Sequence, residues 1–181
     1  MEDLDQIVPT QVGDALTRWP VRLALLCYFC CICASILRRR WIFVSRWLKW
    51  VWALGALSLV VHIVFAMHFY HHWSHSHAVA EVASQTNAMT GFNWGGGIYI
   101  NYLFALCWCI DAIRLCSSES SNHRSATTAF WMMHVFLAFI VFNATVVFKT
   151  GWLRWTGVAA FAVLTLCLLV RSKRENSAAL Q

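Results

Sequence analysis

Six of the eight histidines in this chain lie within sixteen residues, in the string HIVFAMHFYHHWSHSH. The string begins within a long apolar run that ends near Tyr70, and no Lys or Arg occurs from there to Gly97. Imidazole is a ligand for Cu, Zn and Fe, and it titrates at about pH 6.5, so the pattern indicates a metal site or a proton site. Because the histidines continue past an apolar run, we expect the site where a membrane helix leaves the bilayer.

Helical spacing selects the histidines that could share one face. If the helix continued beyond the bilayer, His72 and His75 would lie within about 40° of His68 around the helix axis. Two histidines four residues apart on one face are a common arrangement for a transition metal. The alternative is that the histidines only cap the helix in the headgroup layer. The candidate metal ligands are His68, His72, His75 and His71, with His62 deeper in the same helix, and the candidate ions are Cu, Zn and Fe.

Three polar side chains inside apolar runs have comparable predicted depths below the same surface. Asn101 and Asn143 lie about 6–8 Å deep and His62 about 12 Å deep, at about 1.5 Å per residue. Polar groups in hydrocarbon are costly and usually face the interior of a helix bundle. We therefore predict an intramembrane polar cluster of His62, Asn101 and Asn143, with interhelical hydrogen bonding as the simpler role.

A second pair, Asp111 and His134, is predicted near the opposite, inner surface. Matching depths favour a carboxylate–imidazole pair, which could relay protons or form a structural hydrogen bond. Arg114, three residues from Asp111, is an alternative partner for the carboxylate.

Haem is a weaker cofactor hypothesis than a metal ion. His62 and His134 differ by about 12 Å in predicted depth, which is too far for two axial ligands of one iron.

Composition assigns the chain to the integral membrane proteins. Its 181 residues are 60% hydrophobic and 12% charged, whereas a soluble domain has about 25% charged residues. The net charge of +6 does not predict nucleic-acid binding, because the basic residues cluster at the ends of apolar runs, where they contact anionic lipid headgroups. Membrane lipids are thus the expected partners, and the densest group of headgroup anchors is Arg38, Arg39, Arg40, Arg46 and Lys49.

The apolar runs predict an all-α fold, a multi-pass transmembrane helical bundle of about five spans with interfacial helices. Residues 1–19 are predicted to form an N-terminal interfacial segment, and residues 20–170 form the bundle. A His-rich outer loop, 71–97, lies within it, and a basic cytoplasmic tail follows at 171–181. The five predicted spans are 20–37, 51–70, 98–115, 130–148 and 152–170.

The distribution of Lys and Arg predicts the orientation of the bundle. The connection between the first two spans carries five basic residues and the next connection carries none. Because basic residues favour the cytoplasmic side, we expect the N-terminus outside, the C-terminus inside, and a location in the cytoplasmic (inner) cell membrane.

Catalytic motifs are lacking, since neither G-x-S-x-G nor H-E-x-x-H occurs in the sequence. We therefore expect a non-enzymatic subunit or scaffold of a membrane complex, acting with membrane-protein partners or as a homo-oligomer. The alternative is a metal-binding or redox-associated membrane module that uses the His-rich outer loop.

Overall fold

The structure, a computed structural model, describes residues 11–37, 46–117, 128–147 and 151–179, and these form helices joined by short turns, with no strand among them. The fold class predicted from composition is thereby confirmed at the level of a helical bundle. Six α-helices and one π-helical segment follow one another along the chain: α1 Gln11–Leu37, α2 Arg46–Phe69, α3 His75–Thr90, α4 Gly97–Ser117, α5 Thr128–Phe142, the π-helical segment Asn143–Val147, and α6 Gly151–Ala179.

Four of the described helices are long and apolar enough to cross a bilayer: α1, α2, α4 and α6. They correspond to the first, second, third and fifth predicted spans. The fourth predicted span, 130–148, coincides with α5 and the π-helical segment, in which the apolar helix His134–Val147 is shorter than the other four. The length and composition of these four helices are those of a membrane protein, while the fifth span stays a prediction.

Helix α1 begins earlier than the predicted first span. It runs from Gln11 without a break through Pro20, so the described part of the predicted interfacial segment forms its first turns. Its 27 residues, at about 1.5 Å each, extend for about 40 Å, which exceeds the hydrocarbon core of a bilayer by about 10 Å. One helix therefore has the length for both a span and an interfacial end.

Tertiary contacts hold these first turns of α1 against the end of α2. A Cβ atom at Gly13 would lie 2.8 Å from the ring of Phe69, so the helices approach closely there. The Tyr70 hydroxyl donates a hydrogen bond to the carboxylate of Asp14, which also pairs with Arg18 at 2.8 Å. The start of α1 and the end of α2 consequently lie at the same end of the bundle.

Aromatic side chains form the centre of the core between α1, α2 and α4. The ring centroids of Trp52 and Trp108 are 5.0 Å apart, and Tyr28 lies 5.8 Å from each of them. Gly55 permits this packing, because a Cβ atom there would lie 2.8 Å from Cζ2 of Trp108 and 3.0 Å from Cβ of Cys27. Three large rings therefore pack closely where α1, α2 and α4 meet.

The chain reverses direction directly after α2. His72 and Trp73 adopt left-handed backbone conformations, with φ of 47° and 61°, which end the helix and turn the chain back. Ser74 then caps α3 by accepting a hydrogen bond from the backbone N–H of His77. The continuation of α2 that would align His68, His72 and His75 therefore does not form.

Helix α3 lies across this end of the bundle, against the start of α4. At Gly95 a Cβ atom would lie 2.6 Å from both the side chain and the carbonyl oxygen of Val79, so only glycine permits this approach. The glycine string before α4 thus has a packing role, as a close approach of two backbones. This approach holds α3 against α4.

Helix α6 packs along α1 and along the π-helical segment. Its closest approach is at Gly157, where a Cβ atom would lie 2.7 Å from the carbonyl oxygen of Thr145. The helix continues to Ala179, so the described part of the predicted basic tail, including Arg171 and Lys173, prolongs this helix.

Candidate functional site

A cavity of about 320 Å³ lies inside the half of the bundle that α3 covers. Its walls come from α1, α2, α4, α5 and the π-helical segment, and residues of α3 border it. Along α4 the lining extends from Ile98 to Trp108, which corresponds to a depth of about 15 Å. The volume falls within the range of small-molecule sites, about 300–1,000 Å³.

The interior of the cavity is apolar and its border is polar. Leucine, isoleucine, valine, alanine and phenylalanine form most of the lining, and the formally charged member is Glu81 on α3. The polar side chains of the lining other than tryptophan are His62, His71, Glu81, Gln85, Asn101 and Tyr102. The cavity thus matches a molecule with an apolar body and a polar, uncharged end.

His62 is held in one tautomer at the cavity wall. Its Nδ1 lies 2.8 Å from the carbonyl oxygen of Thr17 in α1. A carbonyl oxygen only accepts hydrogen bonds, so Nδ1 carries the proton and, in the neutral ring, Nε2 carries the lone pair. Asn101, predicted to cluster with His62, lines the same cavity, and the structure brings these two residues to one site.

Trp108 lines the deep end of the cavity, and its own indole N–H is buried. The side chain is 1% exposed, and its indole Nε1 has no hydrogen-bond partner among the described residues. An unpartnered buried N–H typically costs about 1–3 kcal/mol. A bound molecule with a carbonyl or hydroxyl oxygen would remove this cost if the oxygen reached Nε1.

Two histidines meet where α3 begins. The Nδ1 atoms of His71 and His77 are 3.4 Å apart, and their ring centroids are 5.6 Å apart. Burial lowers the pKa of His71, and the adjacent His77 lowers this pKa further, whereas the carboxylate of Glu81 opposes both effects. The His71 ring is consequently neutral at physiological pH, with one nitrogen available as an acceptor or ligand.

The other predicted metal ligands point to different partners. The ring of His75 lies 3.2 Å from the Tyr99 hydroxyl through Nε2 and stacks on Tyr102, while His68 packs edge-on against Phe69. His72 occupies the left-handed turn and is exposed. Within the described ranges, no three His, Cys, Asp or Glu side chains converge as the ligands of one metal ion do.

Asp111 and His134, the predicted inner pair, are both buried, and each contacts Trp52. The indole Nε1 of Trp52 donates to Oδ2 of Asp111 at 3.0 Å, and the Trp52 ring centroid lies 5.9 Å from that of His134. The sequence indicated the carboxylate and the imidazole at one level. It did not identify Trp52 as the hydrogen-bond donor to Asp111 and the ring neighbour of His134, because tryptophan within a span suggests packing alone.

The remaining predicted residues are placed as follows. Asn143 donates from Nδ2 to the carbonyl oxygen of Phe139, one turn earlier in its own helix, at 2.8 Å, and it is not among the cavity-lining residues. Arg46 is the first residue of α2 and Lys49 lies in its first turn. The anchors Arg38, Arg39 and Arg40 lie outside the described residues.

Sequence reasoning missed Gln85 and Trp108 as contributors to this end of the bundle, and it expected Tyr102 near the intramembrane polar cluster without linking it to His75. Tyr102 lies three residues after Tyr99, so both hydroxyls reach His75 from one face of α4. That spacing was a usable signal for an aromatic partner of the histidines. For Trp108, no feature of the sequence distinguishes an unpartnered indole from a packed one.

The chain matches no protein-family model, and no curated protein or solved structure is similar to it. Its function must be inferred from its own residues.

Proposed function

We propose that this protein is a non-enzymatic membrane protein that binds an uncharged amphipathic molecule of the bilayer, with an apolar body and a hydroxyl or carbonyl head, in the cavity beneath α3. The observation that carries the proposal is a cavity of about 320 Å³ with apolar walls and a polar border. The volume equals that of roughly ten water molecules in the liquid, and apolar walls favour an organic molecule over water.

Charge supports an uncharged head. No Lys or Arg lines the cavity in the described part of the chain, and the carboxylate of Glu81 borders it. A phosphate or carboxylate head would lack a cationic partner there, and it would meet a like charge. An uncharged oxygen, in contrast, finds amide donors in Gln85 and Asn101 at the border.

The experiment uses two photoreactive probes with the same diazirine-bearing alkyl chain, one a fatty alcohol and the other a fatty acid. The purified full chain in detergent is labelled, and the labelled peptides are mapped by mass spectrometry. We expect the alcohol to label cavity-lining residues and the fatty acid to label them about tenfold less, corresponding to about 1.4 kcal/mol. Equal labelling by both probes would contradict the uncharged-head argument.

A cavity-filling variant separates specific labelling from general contact with the micelle. Ala66→Phe adds a ring at the cavity wall, while Ala159→Phe adds the same ring to the exposed surface of α6. We expect labelling to be lost in Ala66→Phe and kept in Ala159→Phe, with unchanged helical circular dichroism in both. Labelling that persists in a folded Ala66→Phe variant would refute the binding proposal.

The role as a subunit or scaffold is the second candidate, and α6 favours it. Only 17% of its most apolar window is buried within the chain, compared with 39% for α4. A helix with so little internal packing has a large surface for a partner helix or a second copy. Mass photometry and pull-down in mild detergent test this role, and a solitary monomer without stable partners would contradict it.

The same proposal includes five spans, with α5 and the π-helical segment as the fourth, and the N-terminus on the outer side. It is supported by the apolar sequence of that segment and by the Lys and Arg distribution. Labelling of single cysteines with a membrane-impermeant reagent tests it. Ser76 is exposed on α3, and Ser177 is exposed near the end of α6. We expect the cysteine of Ser76→Cys to react from outside, and that of Ser177→Cys to react only after permeabilisation.

A further inference from the structure

The turn between α2 and α3 brings two imidazoles together by means of its backbone. The backbone N–H of Ser74 donates to the carbonyl oxygen of His71 at 2.7 Å, and the Ser74 hydroxyl accepts from the backbone N–H of His77 at 3.3 Å. One residue thus connects the main chains of both histidines. The side chains are positioned by local structure, so their separation is a property of the turn.

The separation of the two nitrogens fits a shared metal ion. Zinc binds imidazole nitrogen at about 2.0–2.1 Å with tetrahedral geometry, which places two such nitrogens about 3.3–3.4 Å apart. The Nδ1 atoms of His71 and His77 are 3.4 Å apart. N–H···O hydrogen bonds are usually about 2.7–3.2 Å long, so the two imidazoles make at most a long, weak hydrogen bond to each other. The pair therefore has the spacing of two ligands on one ion.

A carboxylate lies one helical turn after His77. Glu81 follows His77 by four residues on α3, so the two side chains share one face of the helix. Its charge acts on His71, and its Oε1 accepts from Gln85 at 2.9 Å. The Glu81 side chain is exposed, so it can rotate toward the histidines, which it must do because the three groups do not yet converge.

We propose that His71 and His77 form the preformed half of a site for a divalent transition metal ion, Zn²⁺ or Cu²⁺, with Glu81 as the third protein ligand and water completing the coordination. Two imidazoles and one carboxylate suit these ions, and alkaline-earth ions prefer oxygen ligands. The site goes beyond the proposed function, since it lies at the border of the cavity and does not require a molecule inside it.

The test is equilibrium dialysis of the full chain, without a His-tag, against Zn²⁺, with bound zinc measured by atomic emission. We expect one ion per chain. Zinc affinity is expected to fall about tenfold or more in His71→Ala and in His77→Ala, since removing even a residue that only supports a metal ligand lowers metal affinity by that factor. Glu81→Gln is expected to weaken binding, although less. His72→Asn and His75→Ala are the matched controls, and they keep wild-type binding; asparagine tolerates the left-handed backbone at position 72.

A measurement on the wild-type chain makes the proposal independent of whether a variant folds. Diethyl pyrocarbonate modifies accessible neutral imidazoles, and mass spectrometry maps the sites. Zinc is expected to protect His71 and His77 while His72 stays reactive. No zinc binding by the wild-type chain, or equal protection of all three histidines, would overturn the proposal. So would binding that survives in a folded His71→Ala/His77→Ala variant. Because neither measurement uses a lipid probe, failure here leaves the cavity proposal standing, and failure of probe labelling leaves the metal site standing.

Discussion

The hydrogen bond between Trp52 and Asp111 leads to a prediction about stability within the bundle. Trp52 is 0% exposed and Asp111 is 2% exposed, and the indole donates to the carboxyl oxygen at 3.0 Å. Asp111→Val removes the acceptor and leaves the indole N–H without this partner. Trp52→Phe removes the donor and leaves the carboxyl group without it. Both variants also alter packing around a crowded aromatic cluster.

The magnitudes follow from the burial of both groups. In water-soluble proteins, an unsatisfied buried partner costs about 1–3 kcal/mol. Side-chain hydrogen bonds in membrane proteins average about 0.6 kcal/mol and reach about 1.7, because the unfolded state in the membrane also finds partners. Replacing both groups by apolar ones removes the unsatisfied atom, so the double variant regains part of the loss. We expect a coupling free energy of about 1 kcal/mol, between these bounds.

The assay is equilibrium unfolding in mixed micelles of dodecyl maltoside and SDS, followed by far-ultraviolet circular dichroism. It is applied to the wild-type chain, both single variants and the double variant. Trp108→Phe serves as the control, because Trp108 is 1% exposed but its Nε1 has no hydrogen-bond partner among the described residues. Its combination with Asp111→Val is expected to show weaker coupling. Additivity of Trp52→Phe and Asp111→Val within about 0.3 kcal/mol would refute the assigned hydrogen bond.

Two further predictions concern backbone geometry. Gly55→Ala is expected to destabilise the bundle by about 1–2 kcal/mol in the same unfolding assay. The new Cβ atom would press on Trp108 and Cys27, and the cost of this overpacking outweighs the gain of about 1 kcal/mol in helix propensity. A Gly55→Ala variant that is more stable than the wild type would show that the helices do not approach so closely. Ser74→Ala removes the N-cap of α3 and is expected to cost about 1 kcal/mol locally. Amide hydrogen exchange in the first turn of α3 should accelerate about fivefold, whereas Ser74→Asp, which keeps a capping oxygen, should leave it near the wild-type rate.

The helices themselves were predictable because their signal is long and local. Runs of about twenty apolar residues, together with charged ends, identified α1, α2, α4 and α6 within a few residues at most ends. The difference at the start of α1 has a tertiary cause. Residues with an interfacial pattern continue one helix, because Gly13 and Asp14 are held against the end of α2.

The candidate site was less predictable, because it depends on a turn. The predicted stripe of His68, His72 and His75 required α2 to continue, and two left-handed residues end it instead. Only a few per cent of residues other than glycine adopt that conformation, so composition did not indicate it. The turn pairs His71 with His77 and directs His75 toward the tyrosines of α4. Each contact joins residues whose separation along the chain has no helical periodicity.

By itself the sequence determined that this is a helical membrane protein with its histidines concentrated at one end, because hydrophobicity and charge act over every helix in the same way. Only the tertiary structure decided which polar atoms meet. The Trp52–Asp111 hydrogen bond, the cavity beneath α3 and the His71–His77 pair depend on distances of a few ångströms between separate elements. Such distances arise from a glycine that admits a neighbouring ring, a serine that caps a helix, and a backbone that turns left-handed at two positions. Those features leave almost no trace in hydrophobic periodicity, and they follow from the packing of the whole chain.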